Sequence, residues 1–115
     1  MAPLFDVLSF WPADGRKAGK LRTKRLKLAM AVPSSNPHYQ IGEIQRRHWN
    51  EMARQCGLGL DAEDVIVDLV QRTPAVIATI ESTLPINFPD EVTQAILSGL
   101  LKSSKRLAAM PAQRA

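Results

Sequence analysis

The fold is decided by residues 61–84, which read DAEDVIVDLVQRTPAVIATIESTL. Asp61 suits the N-cap of a helix, and Glu63 and Asp64 fall in the first turn, where the helix dipole favours acids. The segment predicts helix because apolar residues recur three or four positions apart. These residues are Val65, Ile66, Leu69, Val70, Val76, Ile77, Ile80 and Leu84.

Pro74 interrupts this segment and leaves two interpretations open. A proline inside a helix removes a backbone donor and kinks the helix, whereas a proline in the first turn is well suited to start one. Residues 61–84 therefore form either one kinked helix or two helices, the second capped by Thr73.

A helix is also predicted before this segment, over residues 43–56. Apolar residues and His48 share one face of it at helical spacing. Gly57 and Gly59 follow, as is typical of a helix C-terminus. The opposite face carries Arg47, Asn50 and Arg54.

A last helix is predicted after the linker Leu84–Pro89, with Pro89 near its start. One stripe of it carries Val92, Ala95, Ile96, Gly99, Leu100, Ser103 and Leu107. Residues 43–110 are thus expected to form a helical bundle, followed by a frayed tail over 111–115.

The first 42 residues differ, because prolines and glycines break any helical period. Residues 26–32 alternate large and small or polar side chains, which favours a strand, and 33–37 is a turn. Residues 38–41 are the candidate return strand. The prediction is a mainly α protein with at most one short N-terminal hairpin.

Composition is ordinary for a globular domain, with 45% hydrophobic and 23% charged residues. No apolar run approaches the ~18 residues of a membrane span, so no membrane association is expected. The single cysteine, Cys56, cannot form an internal disulfide and fits a reducing cytoplasm. It lies near a helix C-terminus, which gives no help toward a thiolate, so a buried inert thiol is expected.

The net charge of +4 is unevenly distributed. Residues 1–60 hold ten Lys and Arg against four acids, and residues 61–115 hold five against seven. The basic side chains concentrate between Arg16 and Lys27. This run either attracts phosphate or forms a solvated loop and strand edge.

Asp6 stands out because three apolar residues precede it and two follow it. A buried carboxylate needs hydrogen-bond donors or a metal ion. Asp6 is therefore either a cap for the following turn or a metal ligand. Elsewhere the chain has no phosphate-binding loop, zinc-ligand spacing or nucleophile motif. His48 is expected to be a packed, hydrogen-bonded core histidine.

Four segments resemble the HipA family of serine/threonine kinase toxins. Residues 3–9, PLFDVLS, are similar to the family's PLYDVLS, and residues 27–32, KLAMAV, resemble a strand of the family. Residues 44–49, IQRRHW, match a helix start, and Leu84–Pro89 matches an LPxxFP linker. The matches occur in family order over nearly the whole chain.

This resemblance implies the helical C-terminal lobe of a protein-kinase-like fold, over residues 1–110. Asp6 falls on the family's magnesium-binding aspartate, which holds the Mg²⁺ that bridges the phosphates of ATP. The full-length family phosphorylates proteins such as aminoacyl-tRNA synthetases. It is held by a HipB-type antitoxin, and the complex binds operator DNA.

The family's nucleotide loop, ATP-contacting lysine and catalytic loop have no counterpart in this sequence. Phosphoryl transfer depends on positioning those parts together, so the chain is expected to be inactive alone. A truncated gene or a misassigned start would explain this. The alternative is a stand-alone, non-catalytic helical module that binds a HipB-type antitoxin or nucleic acid.

Arg47 and Arg54 lie seven residues apart, on the same side of the predicted helix. In an antitoxin complex on operator DNA they are candidates for contacting the phosphate backbone. The other interpretation is a solvated helix face, where Glu51 weakens the local positive field.

Overall fold

The computed structural model describes residues 9, 11–13, 26–34 and 36–112. These residues form β1 (Lys27–Pro33), β2 (Pro37–Gln40), α1 (Arg46–Gln55), α2 (Glu63–Thr83) and α3 (Asp90–Ala109), with 3₁₀ turns at Trp11–Ala13 and Ile41–Glu43. The predicted mainly α fold with a short N-terminal hairpin is confirmed. No helix in these described ranges has the length and apolar character needed to cross a membrane.

The hairpin lies where the alternating pattern predicts it. β1 and β2 pair antiparallel, with Val32 opposite His38 and an irregularity in the register between Lys27 and Val32. Val32 is buried, and β1 packs against α1. The contact between β1 and α1 therefore places the hairpin beside the first helix.

Helix α1 begins at Arg46, three residues later than predicted, because Ile41–Glu43 forms a 3₁₀ turn before it. Gly57 and Gly59 follow the helix with positive φ angles of 76° and 123°, which glycine adopts without strain. Two predictions here were wrong. The Cys56 thiol is exposed rather than buried, and Asn50 is buried rather than on the polar face.

Helix α2 is continuous through Pro74, which decides between the two interpretations in favour of one helix. Thr73 does not cap a second helix, because its hydroxyl donates to the Leu69 carbonyl oxygen at 2.6 Å. Asp61 lies two residues before the first helical residue. Its carboxylate nevertheless accepts the backbone N–H of Glu63 at 3.0 Å.

The apolar positions of α2 are only partly covered. Ile66 is buried and Val70 is half-buried, but Val65 and Leu69, which were predicted to share that face, are exposed. Helix α3 starts directly after Pro89, as predicted, and packs against α2. The buried apolar residues among those described are Val32, Ile44, Ala53, Ile66 and Leu97.

Gly99 is where α3 meets the 3₁₀ turn Trp11–Ala13. The glycine is buried, and a Cβ atom at this position would overlap the indole ring of Trp11. Only a glycine therefore lets this ring approach the α3 backbone so closely.

Candidate functional site

The arginine face of α1 consists of Arg47 and Arg54, both exposed. Arg54 is held by Glu51, and its Nε donates to the Glu51 carboxylate at 3.1 Å. Hydrogen bonds from Arg54 and then Gln55 lower the pKa of Glu51. Arg47 donates through Nε to the side-chain oxygen of Gln45 at 3.1 Å. Arg54 thus lies beside a negative charge, whereas the hydrogen-bond partner of Arg47 is neutral.

The other predicted site residues are Asp6 and the basic run between Arg16 and Lys27. Asp6 and residues 16–25 of the basic run lie outside the described residues. In the described ranges, His, Cys, Asp and Glu form no group of three or more that could hold a metal ion.

A buried polar cluster joins the starts of α1 and α2. The Arg46 guanidinium binds both carboxylate oxygens of Glu63, through Nε at 2.9 Å and through a second nitrogen. Asn50 donates to Glu63 at 2.7 Å and to the Ala112 carbonyl at 3.0 Å, and its oxygen accepts the Ala62 N–H. The cluster links α1, α2 and the segment after α3.

The hydrogen bonds of this cluster indicate a structural role. The hydrogen bond to Glu63 raises the pKa of Arg46, against the opposing effect of burial. No buried side-chain nitrogen or oxygen in the described ranges is left without a hydrogen-bond partner. Since both Glu63 oxygens already accept charged or amide donors, Glu63 is poorly suited to act as a general base.

His38 and His48 form a stacked pair that connects β2 to α1. Their ring centroids are 3.7 Å apart and the rings are nearly parallel. His48 is buried, and its Nδ1 accepts the backbone N–H of Gln45 at 3.0 Å. Burial, followed by the charges of His38 and Arg47, lowers the pKa of His48. The prediction of a packed, hydrogen-bonded core histidine is confirmed.

A cleft opens between the hairpin, the start of α1 and the end of α3. It has a volume of about 270 Å³. Its lining consists of Leu28, Ile41, Ile44, Trp49, Ser103, Arg106, Leu107 and Met110. The Arg106 guanidinium donates to the Gly42 carbonyl at 2.6 Å, so the arginine is anchored beside the cleft.

An apolar stripe runs along α2 and is formed by Val65, Leu69, Val76 and Ile80. The spacings of four, seven and four residues place these side chains on one side of the helix. Their exposed fractions are 61%, 57%, 44% and 37%, respectively. This α2 stripe adjoins the face that carries Ile66 and Val70, so the apolar part of the helix is wider than its buried part.

No protein-family model matches this chain. The resemblance to HipA kinases therefore depends on the four segments themselves. Residues 27–32 lie in β1, residues 44–49 include the first turn of α1, and Leu84–Pro89 connects α2 to α3. Most of residues 3–9 lie outside the described residues.

Sequence reasoning missed the residues that hold the junction together. The sequence pattern gives Arg46 no distinct role, places Asn50 on the face opposite the apolar residues, and gives Glu63 only a favourable position in the helix dipole. The hydrogen-bond partners described above lie 12 to 62 residues away in the chain. The one signal in the sequence is Asn50, a polar residue at a position of α1 that faces the start of α2.

Proposed function

We propose that the chain is part of the helical C-terminal lobe of a HipA-like serine/threonine kinase, and that it does not transfer phosphate by itself. The observation that carries the proposal is the α2 stripe. A contiguous row of exposed apolar side chains is typical of a surface that another part of a protein covers. In a kinase lobe, the remainder of the lobe would supply that cover.

The positions of the family-like segments support the same proposal. Each of the three segments in the described residues coincides with a structural element or boundary: a strand, a helix start and an interhelical linker. Residues 44–49 also include Arg46 and His48, which contribute to the polar cluster and the histidine pair. These segments thus have structural reasons for their residue types.

The proposed inactivity follows from what phosphoryl transfer requires. The reaction needs a nucleotide-binding loop, a lysine on the phosphates, a catalytic base and metal ligands held in one arrangement. Among the 115 residues only Asp6 is a candidate for any of these roles. Within the whole kinase, Asp6 would hold Mg²⁺ and Mg²⁺ would neutralise charge on ATP.

The partners belong to the proposal as well. A HipB-type antitoxin would bind the kinase, Arg47 and Arg54 would approach operator DNA in that complex, and the substrate would be a protein such as an aminoacyl-tRNA synthetase. A cytoplasmic location is consistent with the single cysteine. The second candidate function is a non-catalytic module, which the α2 stripe also favours if the antitoxin covers it.

The genomic sequence directly upstream of Met1 tests the proposal. We expect an in-frame reading that encodes a catalytic loop with an aspartate and an asparagine. A clean intergenic region with its own ribosome-binding site would contradict the kinase-lobe proposal and favour the binding module.

A binding measurement separates the two candidates independently. The Leu69→Lys, Val76→Lys double variant alters the α2 stripe, and Gln71→Lys with Ala78→Lys is the matched control on the opposite, exposed side. If the antitoxin covers the stripe, calorimetry will detect weaker antitoxin binding for the first variant only. In the kinase-lobe proposal, both variants bind the antitoxin as the unaltered chain does.

A further inference from the structure

The cleft beside Arg106 has the composition of a small-molecule site. Ligand pockets usually have volumes of about 300–1,000 Å³ and apolar walls with a few polar groups. The cleft, at about 270 Å³, lies just below that range. Six of the eight described residues that line it are apolar, and the two polar ones are Ser103 and Arg106. It therefore suits a small ligand with an apolar body.

The charge near the cleft selects the sign of the ligand. Among the described residues no acid lines the cleft, and the sequence from Val92 to Ala112 contains no Asp or Glu. Arg106 is the only charged residue among the described residues that line the cleft, and its positive charge favours an anionic ligand.

Arg106 is placed to recognise a planar anionic group. A guanidinium has five N–H donors, and the hydrogen bond to the Gly42 carbonyl uses one of its nitrogens. That bond restrains the side chain beside the cleft. A guanidinium binds carboxylates through two parallel hydrogen bonds, which a lysine cannot do.

We propose that this cleft binds a small amphipathic carboxylate. The apolar body packs against Trp49, Ile44 and Leu107, and the carboxylate accepts hydrogen bonds from Arg106. The volume and the apolar walls disfavour a nucleotide, whose base, ribose and phosphates need more room and more polar partners. The site does not depend on the kinase-lobe proposal, because no cleft residue has a proposed role in phosphate transfer.

Octanoate is the probe, and octanol is its uncharged counterpart. Calorimetry on the full chain is expected to show saturable one-to-one binding of octanoate, with octanol about tenfold weaker because it lacks a charge-assisted hydrogen bond. Amide spectra should place the octanoate-induced shifts at the Trp49 indole and around Arg106.

The matched variants are Arg106→Met and Lys105→Met. Arg106→Met is expected to weaken octanoate binding about tenfold, whereas Lys105→Met, on the same exposed helix end but outside the cleft lining, should leave it unchanged. Absence of saturable octanoate binding would overturn the proposal, as would equal affinities for octanoate and octanol. Equal octanoate affinities of Arg106→Met and the unaltered chain would also overturn it. If circular dichroism shows that Arg106→Met does not fold, the octanoate-to-octanol ratio on the unaltered chain decides alone.

Discussion

The first turn of α2 and its middle turns differ in which kind of side chain is buried. At the first turn, the Glu63 carboxylate is buried and bound by Arg46 and Asn50. At the middle turns, Leu69 and Val76 expose about half of their apolar surface. One helix therefore has a polar group buried inside and apolar groups left outside. The difference indicates that the junction holds this chain together, whereas the α2 stripe serves contact with something else.

Substitutions six residues apart on α2 test that difference most strongly. Glu63→Ala leaves the half-buried Arg46 guanidinium and the buried Asn50 amide without their shared acceptor, and should lower the free energy of unfolding by about 1–3 kcal/mol. Leu69→Ala, at a position that is 57% exposed, should change it by no more than about 0.5 kcal/mol. Urea unfolding followed by circular dichroism measures both. Similar losses from the two variants would show that the junction is not the stabilising region.

A second test concerns Gly99, on the side of α3 that contacts Trp11. Gly99→Ala forces a methyl group into the Trp11 ring and should cost about 1–3 kcal/mol, as overpacking does. In a Trp11→Ala background the same change should stabilise the chain by up to about 1 kcal/mol, because alanine is the better helix former. Equal losses from Gly99→Ala in both backgrounds would contradict this contact.

The histidine pair extends the comparison to pH. His48 is buried and its pKa is lowered, chiefly by burial, so the folded chain favours the neutral imidazole. The stabilising contribution is fully present above the unfolded pKa of about 6.5 and is lost as pH falls below it. Urea unfolding between pH 8 and pH 5 should show this loss. His48→Gln, which does not titrate, should flatten the profile, and an unchanged profile would rule out His48 as the cause.

Substitutions of the exposed arginines of α1 are expected to have smaller effects than substitution of the buried Glu63. Each phosphate contact adds about one unit to the salt slope of DNA binding. In the antitoxin complex on operator DNA, we expect Arg47→Ala to lower the slope by about one unit. Arg54→Ala should lower it less, because Glu51 already binds Arg54. If the slopes of the double variant and the unaltered complex coincide, the run from Arg16 to Lys27 becomes the better candidate.

The sequence predicted what local patterns determine. The helical period of residues 61–84, the alternation before Val32 and the glycines after α1 led to the correct elements. The burial of Asn50 was not predicted, because its partners, Glu63 and the Ala112 carbonyl, are distant in the chain. Pro74 remained open because the continuity of a helix through proline depends on tertiary packing.

The candidate site was predicted less well than the fold. Arg47 and Arg54 lie on α1 as expected, but their spacing did not reveal the pairing of Arg54 with Glu51. The stacking of His38 on His48 depends on how the hairpin packs against α1. The cleft combines residues from β1, α1 and α3, so no single stretch of sequence indicates it.

The proposal that the chain is a kinase-lobe part without activity of its own is tested most directly with labelled ATP. Purified chain is incubated with γ-labelled ATP and Mg²⁺, beside the Asp6→Ala variant as the control. We expect no incorporation of label above the control, because one candidate metal ligand cannot position the nucleotide and the acceptor. Incorporation by the unaltered chain that disappears in Asp6→Ala would contradict the proposal and identify an autonomous kinase.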